Sequence, residues 1–165
     1  TLGGAAGKVI TNKLISKITK GAHELTGVTP YAPTTLPKAN RHTLKNQRNT
    51  VGNDNVVYFS TCANRAFKPN QGQKDTRSLQ QVMENLCKKA GYNVIYPRHI
   101  EYLCCGLSFE NYEDIDKHAL RDLENALLEA SCGVVYPVVI YHSACFSQAI
   151  KHIKSVTLHD VSEIL

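Results

Sequence analysis

Two cysteines stand side by side in Leu103-Cys104-Cys105-Gly106. They cannot easily bond to each other, because that disulfide closes a small ring and strains the peptide between them. They can still direct both sulfurs at one metal centre. Two more cysteines lie far off on either side, Cys62 in Ser60-Thr61-Cys62-Ala63-Asn64 and Cys145 in His142-Ser143-Ala144-Cys145. Thiolates are soft ligands that suit zinc, copper(I) and iron–sulfur clusters. The C-x-x-C knuckles of a zinc ribbon and the closely spaced cysteine run of a ferredoxin are both missing from the sequence. The expectation is that Cys62, Cys104, Cys105 and Cys145 meet at one iron–sulfur or other metal site.

Bringing them together requires a particular frame. Val56-Val57-Tyr58-Phe59 is an apolar run without alternation, the pattern of a strand buried on both faces, and it leads into Cys62. Ser78 is placed to cap a helix with the core face Leu79, Val82, Met83, Leu86 and Ala90, which Gly91 ends. Val94-Ile95-Tyr96-Pro97 reads as a second strand, after which the chain passes through Ile100 to Cys104 and Cys105. A helix is predicted over 114–131, with Ile115, Ala119, Leu123, Ala126, Leu127 and Ala130 on one face. A third strand from Val134 to Tyr141, interrupted by Pro137, delivers Cys145; a helix over 146–153 and a fourth strand at Val156-Thr157-Leu158 follow.

Strands alternating with helices imply right-handed crossovers and an α/β fold with an open, mostly parallel sheet of about four strands. Sites in such sheets form beyond the carboxyl ends of the strands. Cys62 and Cys145 each fall just past a predicted strand, and helix starts after Cys62, Cys105 and Cys145 would favour their thiolates.

Residues 1–54 read as a basic N-terminal helix and linker, and 55–165 as the cysteine-rich domain. Ile10, Leu14, Ile18, Ala22 and Leu25 recur at helical spacing between Lys8 and Thr26, with Gly27 as the stop. Pro30, Pro33 and Pro37 make the next stretch an extended loop. Residues 1–50 hold eight Lys/Arg and one acid (Glu24), a surplus of +7; the other eleven basic and thirteen acidic side chains give −2. Tyr31 is the one aromatic residue among those basic ones, too little for a row of stacking platforms, so the segment reads as a solvated connection and no nucleic-acid partner is expected. No apolar run reaches the roughly 18–20 residues of a membrane span. Six cysteines without a secretory start fit a reducing, cytoplasmic setting better than a disulfide scaffold. A start without Met and an end at Val161-Ser162-Glu163-Ile164-Leu165 read as a piece of a longer protein.

Taken with Lys89-Ala90-Gly91-Tyr92-Asn93-Val94-Ile95-Tyr96-Pro97, the segments around Cys62, Cys104-Cys105 and Cys145 resemble the cysteine-rich "CCG" domain. That domain occurs in heterodisulfide reductase, in the iron–sulfur subunit of glycolate oxidase and in FAD-linked D-lactate dehydrogenases. Residues 55–165 look most like the large FAD and iron–sulfur D-lactate dehydrogenase. The resemblance implies an iron–sulfur, four-cysteine (4Fe-4S) electron-transfer domain. Its partners would be an FAD domain and a ferredoxin-like module outside this chain, which oxidise D-lactate to pyruvate and pass electrons to a cytochrome or quinone at the inner face of the membrane. Where the heterodisulfide reductase motif has a second cysteine, this chain has Gln148. A five-thiolate cluster is therefore not expected here.

Other readings stay open on the residues alone: a zinc-stabilised interaction module, or a thiol–disulfide catalyst using Cys62 or Cys145. Cys87 and Cys132 read as buried structural cysteines. His142 reads as a surface or capping residue before it reads as a site residue. Asn64 and Arg65 either offset the charge of a cluster or belong to a solvated loop, and Gly106 permits a tight turn. No Ser-His-Asp set, phosphate loop or carboxylate pair stands out, so lactate chemistry itself is not expected on this chain.

Overall fold

The computed structural model of the chain describes residues 12–32, 34, 37–46, 54–69 and 73–164, with the backbone alone at 12 and 113–116. Two compact units are distinguished: residues 1–38 with 69–76, and residues 39–68 with 77–165. The first contains α1 (Asn12–Thr26), which stops at Gly27 as its spacing predicts. Its apolar stripe is not buried: Leu14, Ile18 and Leu25 are all exposed. Ile10 and the start of the predicted helix lie outside the described residues.

The second unit is an α/β domain. Its sheet has four strands, β1 (Asp54–Phe59), β2 (Tyr92–Ile95), β3 (Val138–Ile140) and β4 (Leu158–Asp160), in the order β2-β1-β3-β4. All three pairings are parallel, with Val57 opposite Ile95 on one side and Val138 on the other. The helices between them are α2 (Cys62–Ala66), α3 (Leu79–Lys89), α4 (Glu113–Ala130), α5 (Ser143–His152) and, after β4, α6 (Val161–Ile164). Two-residue strands at Lys38–Ala39 and Phe67–Lys68 lie outside this sheet.

The central strand β1 explains its own sequence. With neighbours on both sides and helices to either face, it must be apolar throughout, and Val56 to Phe59 are all buried. α3 starts at Ser78 with a full capping box, Ser78 Oγ accepting from Gln81 N while Gln81 Oε1 accepts from Ser78 N. Its buried face agrees with expectation at Met83 and, in part, at Leu79 and Val82, and departs from it elsewhere. Gln80, Met83 and Cys87 point inward, whereas Leu86 is 41% exposed and Ala90 lies at the surface. α4 buries Leu120, Leu123 and Leu127, close to the predicted stripe, with the Ile115 side chain outside the described residues.

The third strand is shorter than predicted. Val134 and Val135 are exposed and belong to a turn, not to the ladder. α4 closes with Gly133 N donating to Leu128 O, and Tyr136 N donating to Ser131 O, with Cys132, Gly133 and Val134 all at positive φ. Cys132 is therefore exposed rather than a buried structural cysteine, while Cys87 is buried as expected. The ladder resumes after Pro137, which has no N–H to give but whose carbonyl accepts from Val57 N at 2.9 Å.

Candidate thiol site at the sheet edge

The strand order reverses between β1 and β3. The chain leaves β1 for β2 on one side, then crosses back to place β3 on the other. Right-handed crossovers running in opposite directions carry their helices to opposite faces, and a crevice opens beyond the strand ends at that point. β1 ends at Phe59 and β3 at Ile140, so Cys62 and Cys145 follow the two strands that border the crevice. Both thiols sit inside a first helical turn, whereas the sequence pattern places the helix starts after them. Cys62 opens α2 after Thr61, and Cys145 is the third residue of α5 after His142.

The adjacent pair reaches the same place from the β2 side. Leu103 is buried and turns the chain after a short 3-10 helix, Ile100–Tyr102. Gly106 adopts φ 82, a left-handed conformation that a side chain would resist, and starts a second 3-10 turn, Leu107–Phe109. Cys62 is exposed, Cys104 half-buried, and Cys105 and Cys145 buried.

The four thiols lie close enough to influence one another's ionisation. Burial pushes the Cys62 thiol up, and donation of its proton toward Cys104 adds to this. Cys104 is pushed up further, first by donating to Cys105 and then by burial. Cys105 is lowered by accepting from Cys104, but donation to Cys145 and burial outweigh that and leave it at about 11. Cys145 accepts from Cys105 and is held below the usual thiol range. Of the four, Cys145 ionises most readily. Backbone N–H groups of Ala63, Gly106 and Leu107 face the sulfurs of Cys62, Cys104 and Cys105 and favour their ionised forms.

A cation serves the same edge. The Arg65 guanidinium donates through Nη1 to Ser60 O and through Nη2 to Leu103 O at 2.6 Å, and lies over the Phe59 ring at 5.8 Å. Burial lowers its pKa, while the thiols of Cys62, Cys104 and Cys145 and the Glu101 carboxylate act in the opposite sense. Arg65 is thus partly buried and held by two carbonyls beside the thiols, not in a solvated loop. Asn64, by contrast, has no such contact: its Nδ2 is buried without a partner.

Four buried polar atoms of the described residues lack hydrogen bonds. Among the described residues they are Tyr58 Oη, Thr61 Oγ1, Asn64 Nδ2 and His142 Nδ1, all on the segments that end β1 or follow β3. The Thr61 hydroxyl approaches Cys145 too loosely to count as a hydrogen bond, yet closely enough to favour its thiolate. His142 caps nothing with its side chain.

Several neighbours were not legible as site residues. Gln80 is fully buried, donates through Nε2 to Ser60 Oγ at 3.0 Å, and accepts from Asn40 Nδ2 at 2.8 Å. Only its spacing from Met83 and Cys87 along one helical face could have flagged it. A cavity of about 470 Å³ opens beside Cys62, lined also by Arg65, Gln80, His42, Ile100 and Glu101.

Among the described residues, no group of three or more His, Cys, Asp or Glu side chains is arranged to hold a metal ion. A tetrahedral zinc ion needs four sulfurs about 3.8 Å apart around one centre, from a Zn–S distance of about 2.3 Å, and the described residues are not set out in that way. A cluster distributes its cysteines over several irons, and the donor chemistry, the facing N–H groups and Arg65 suit that demand. No helix among the described residues is long and apolar enough to cross a membrane. No family model, curated protein or solved structure matches this chain.

Proposed function

We propose that this chain is the iron–sulfur electron-transfer domain of an oxidoreductase of the D-lactate dehydrogenase type, with Cys62, Cys104, Cys105 and Cys145 holding the cluster. The observation that carries this reading is that Cys62, Cys104, Cys105 and Cys145, from three distant segments, follow the strand ends beside the β1–β3 crevice and lie within electrostatic reach of one another. When bound, a cluster of this kind takes up and passes on single electrons. On binding iron the thiols would give up their protons, which backbone N–H groups beside Cys62, Cys104 and Cys105 favour, and the Arg65 guanidinium nearby would offset the resulting charge. Leu103 and Phe59 keep water from the inner side, while exposed Cys62 marks the side open to a redox partner. The resemblance to the CCG domain supplies the rest of the proposal: an FAD domain and ferredoxin-like module elsewhere, a cytochrome or quinone as acceptor, and a cytoplasmic setting. A glycolate oxidase or heterodisulfide reductase type of enzyme would use the same domain.

Anaerobic reconstitution with ferrous iron and sulfide tests this. Iron and acid-labile sulfide should be retained in equal amounts, and replacing Cys104 or Cys105 with Ser should abolish retention. Uptake of one equivalent of zinc alone would instead make the chain a zinc-stabilised interaction module. A second reading, thiol–disulfide exchange, is favoured by the Cys105–Cys145 contact and the readily ionised Cys145. There, two thiols would become a disulfide while two electrons and two protons pass to a substrate disulfide, which leaves as two thiols. Formation of that bond on exposure to a small disulfide, with no uptake of iron, would select it.

A further inference from the structure

α1 carries its apolar side outward. Leu14, Ile18 and Leu25 are 47%, 60% and 89% exposed. At about 100° per residue they lie within about 40° of one another and form one stripe. Gly21 falls at the edge of that stripe, and a methyl group added there would have open space around it. The opposite, polar side is the covered one. Ser16 is buried, Thr19 Oγ1 accepts from Ala32 N at 3.0 Å, and His23 Nδ1 donates to Thr29 O at 2.8 Å. A surface helix of a globular protein is ordinarily arranged the other way, with its apolar side inward and its polar side to water. Val28 and Tyr31, exposed in the segment after the helix, add apolar surface to the same unit.

Charge decides what such a face meets. Lys13 and Lys17 are exposed, and on the helical wheel they lie about 60–100° to one side of Leu14. Lys20 is exposed as well, with Glu24 approaching it at 3.9 Å. Residues 1–23 hold four lysines and no acid. A lysine can lay its aliphatic stem along apolar surface while its ammonium group stays in water. An aliphatic stripe edged by lysines therefore suits the boundary between acyl chains and anionic headgroups. A second copy of the chain suits it less. Leu14, Ile18, Gly21 and Leu25 follow the spacing of a coiled-coil seam, but glycine leaves a hole where a knob is required.

We propose that α1 docks on an anionic phospholipid surface, with Leu14, Ile18 and Leu25 among the acyl chains and Lys13 and Lys17 at the headgroups. The helix has 15 residues and lies in the plane of the surface without crossing it. This inference is independent of the cluster reading, since lipid binding by α1 needs neither metal nor thiol.

Sedimentation of the full chain with vesicles tests it. The chain should bind vesicles of mixed phosphatidylglycerol and phosphatidylcholine, and bind phosphatidylcholine alone far more weakly. Ile18→Ser should weaken binding about tenfold and Gly21→Leu should strengthen it about tenfold, the scale of one immersed aliphatic side chain. Lys17→Gln should weaken it about fivefold, the scale of one lysine beside an anionic surface. Val135→Ser, which removes an exposed apolar side chain from the α/β unit, should change nothing. No binding to the anionic vesicles, equal binding to the neutral ones, or equal weakening by Val135→Ser would overturn the proposal. So would a dimer in solution that Ile18→Ser dissolves and that anionic vesicles fail to displace. Circular dichroism of each variant separates a lost stripe from a lost helix.

Discussion

Arg65 ties two of the thiol-bearing segments together, because its two η nitrogens reach Ser60 O ahead of Cys62 and Leu103 O ahead of Cys104. Removing it leaves both carbonyls short of a strong donor in a half-buried place. Arg65→Met should therefore lower stability by about 3 kcal/mol, with hydrogen bonds to charged groups each contributing about 1.5–3 kcal/mol. Arg65→Lys should recover only a small part, since a single ammonium cannot span both carbonyls as a planar fork does. Urea unfolding under reducing conditions measures both; an unchanged midpoint for Arg65→Met would refute the tethering role. The cysteines themselves could be picked out of the sequence because an adjacent pair and two singletons after apolar runs form an unusual pattern. Gln80, Asn40 and His42 could not. A polar residue at an interior position looks like any surface residue until its partner, forty or so residues away, is known.

α3 shows how an element can be predicted while its orientation is not. Its start at Ser78 and end near Gly91 follow from capping and turn chemistry, which are local. Its inward face is decided by what lies beneath, and Ser60 Oγ and Asn40 draw Gln80 inward so that the helix turns Leu86 out. Met83→Ala, at 2% exposure, should cost about 2–5 kcal/mol. Leu86→Ala should stay within about 0.5 kcal/mol. Thermal or urea unfolding of the pair checks this, and a reversed ranking would return α3 to the face its leucines suggest. The third strand fails for a related reason. Val134-Val135 has strand composition, but the close of α4 at Gly133 claims these residues for a turn, and Pro137 delays the ladder.

At the level of the whole domain, burial of thiols sets a pH response. Cys87 and Cys105 are raised to about 11, Cys62 and Cys104 are raised as well, and Cys145 alone is lowered. For the raised groups the unfolded chain, with thiols near pKa 8.5, loses protons first. Their contribution is intact below about pH 8.5 and is lost as pH rises toward about 11. Cys145 has the opposite sign, losing its contribution as pH falls through its folded pKa, but it is outnumbered. Stability in urea should fall across that alkaline window. Cys87→Ala should flatten the fall by about 2–3 kcal/mol at its upper end, at 1.36 kcal/mol per unit; an unaltered slope would count against this cause. The parallel topology was legible because strand and helix signals alternate along the chain, and handedness then limits where each strand can lie. The strand order has a further consequence. Cys62 leaves the first strand of the sheet, whereas Cys145 arrives only after the third. A growing polypeptide cannot assemble the set until the stretch from Cys62 through Cys145 has been made, and anything later gripping those sulfurs would clasp points about eighty residues apart, shrinking the freedom of the loosened chain and slowing its escape.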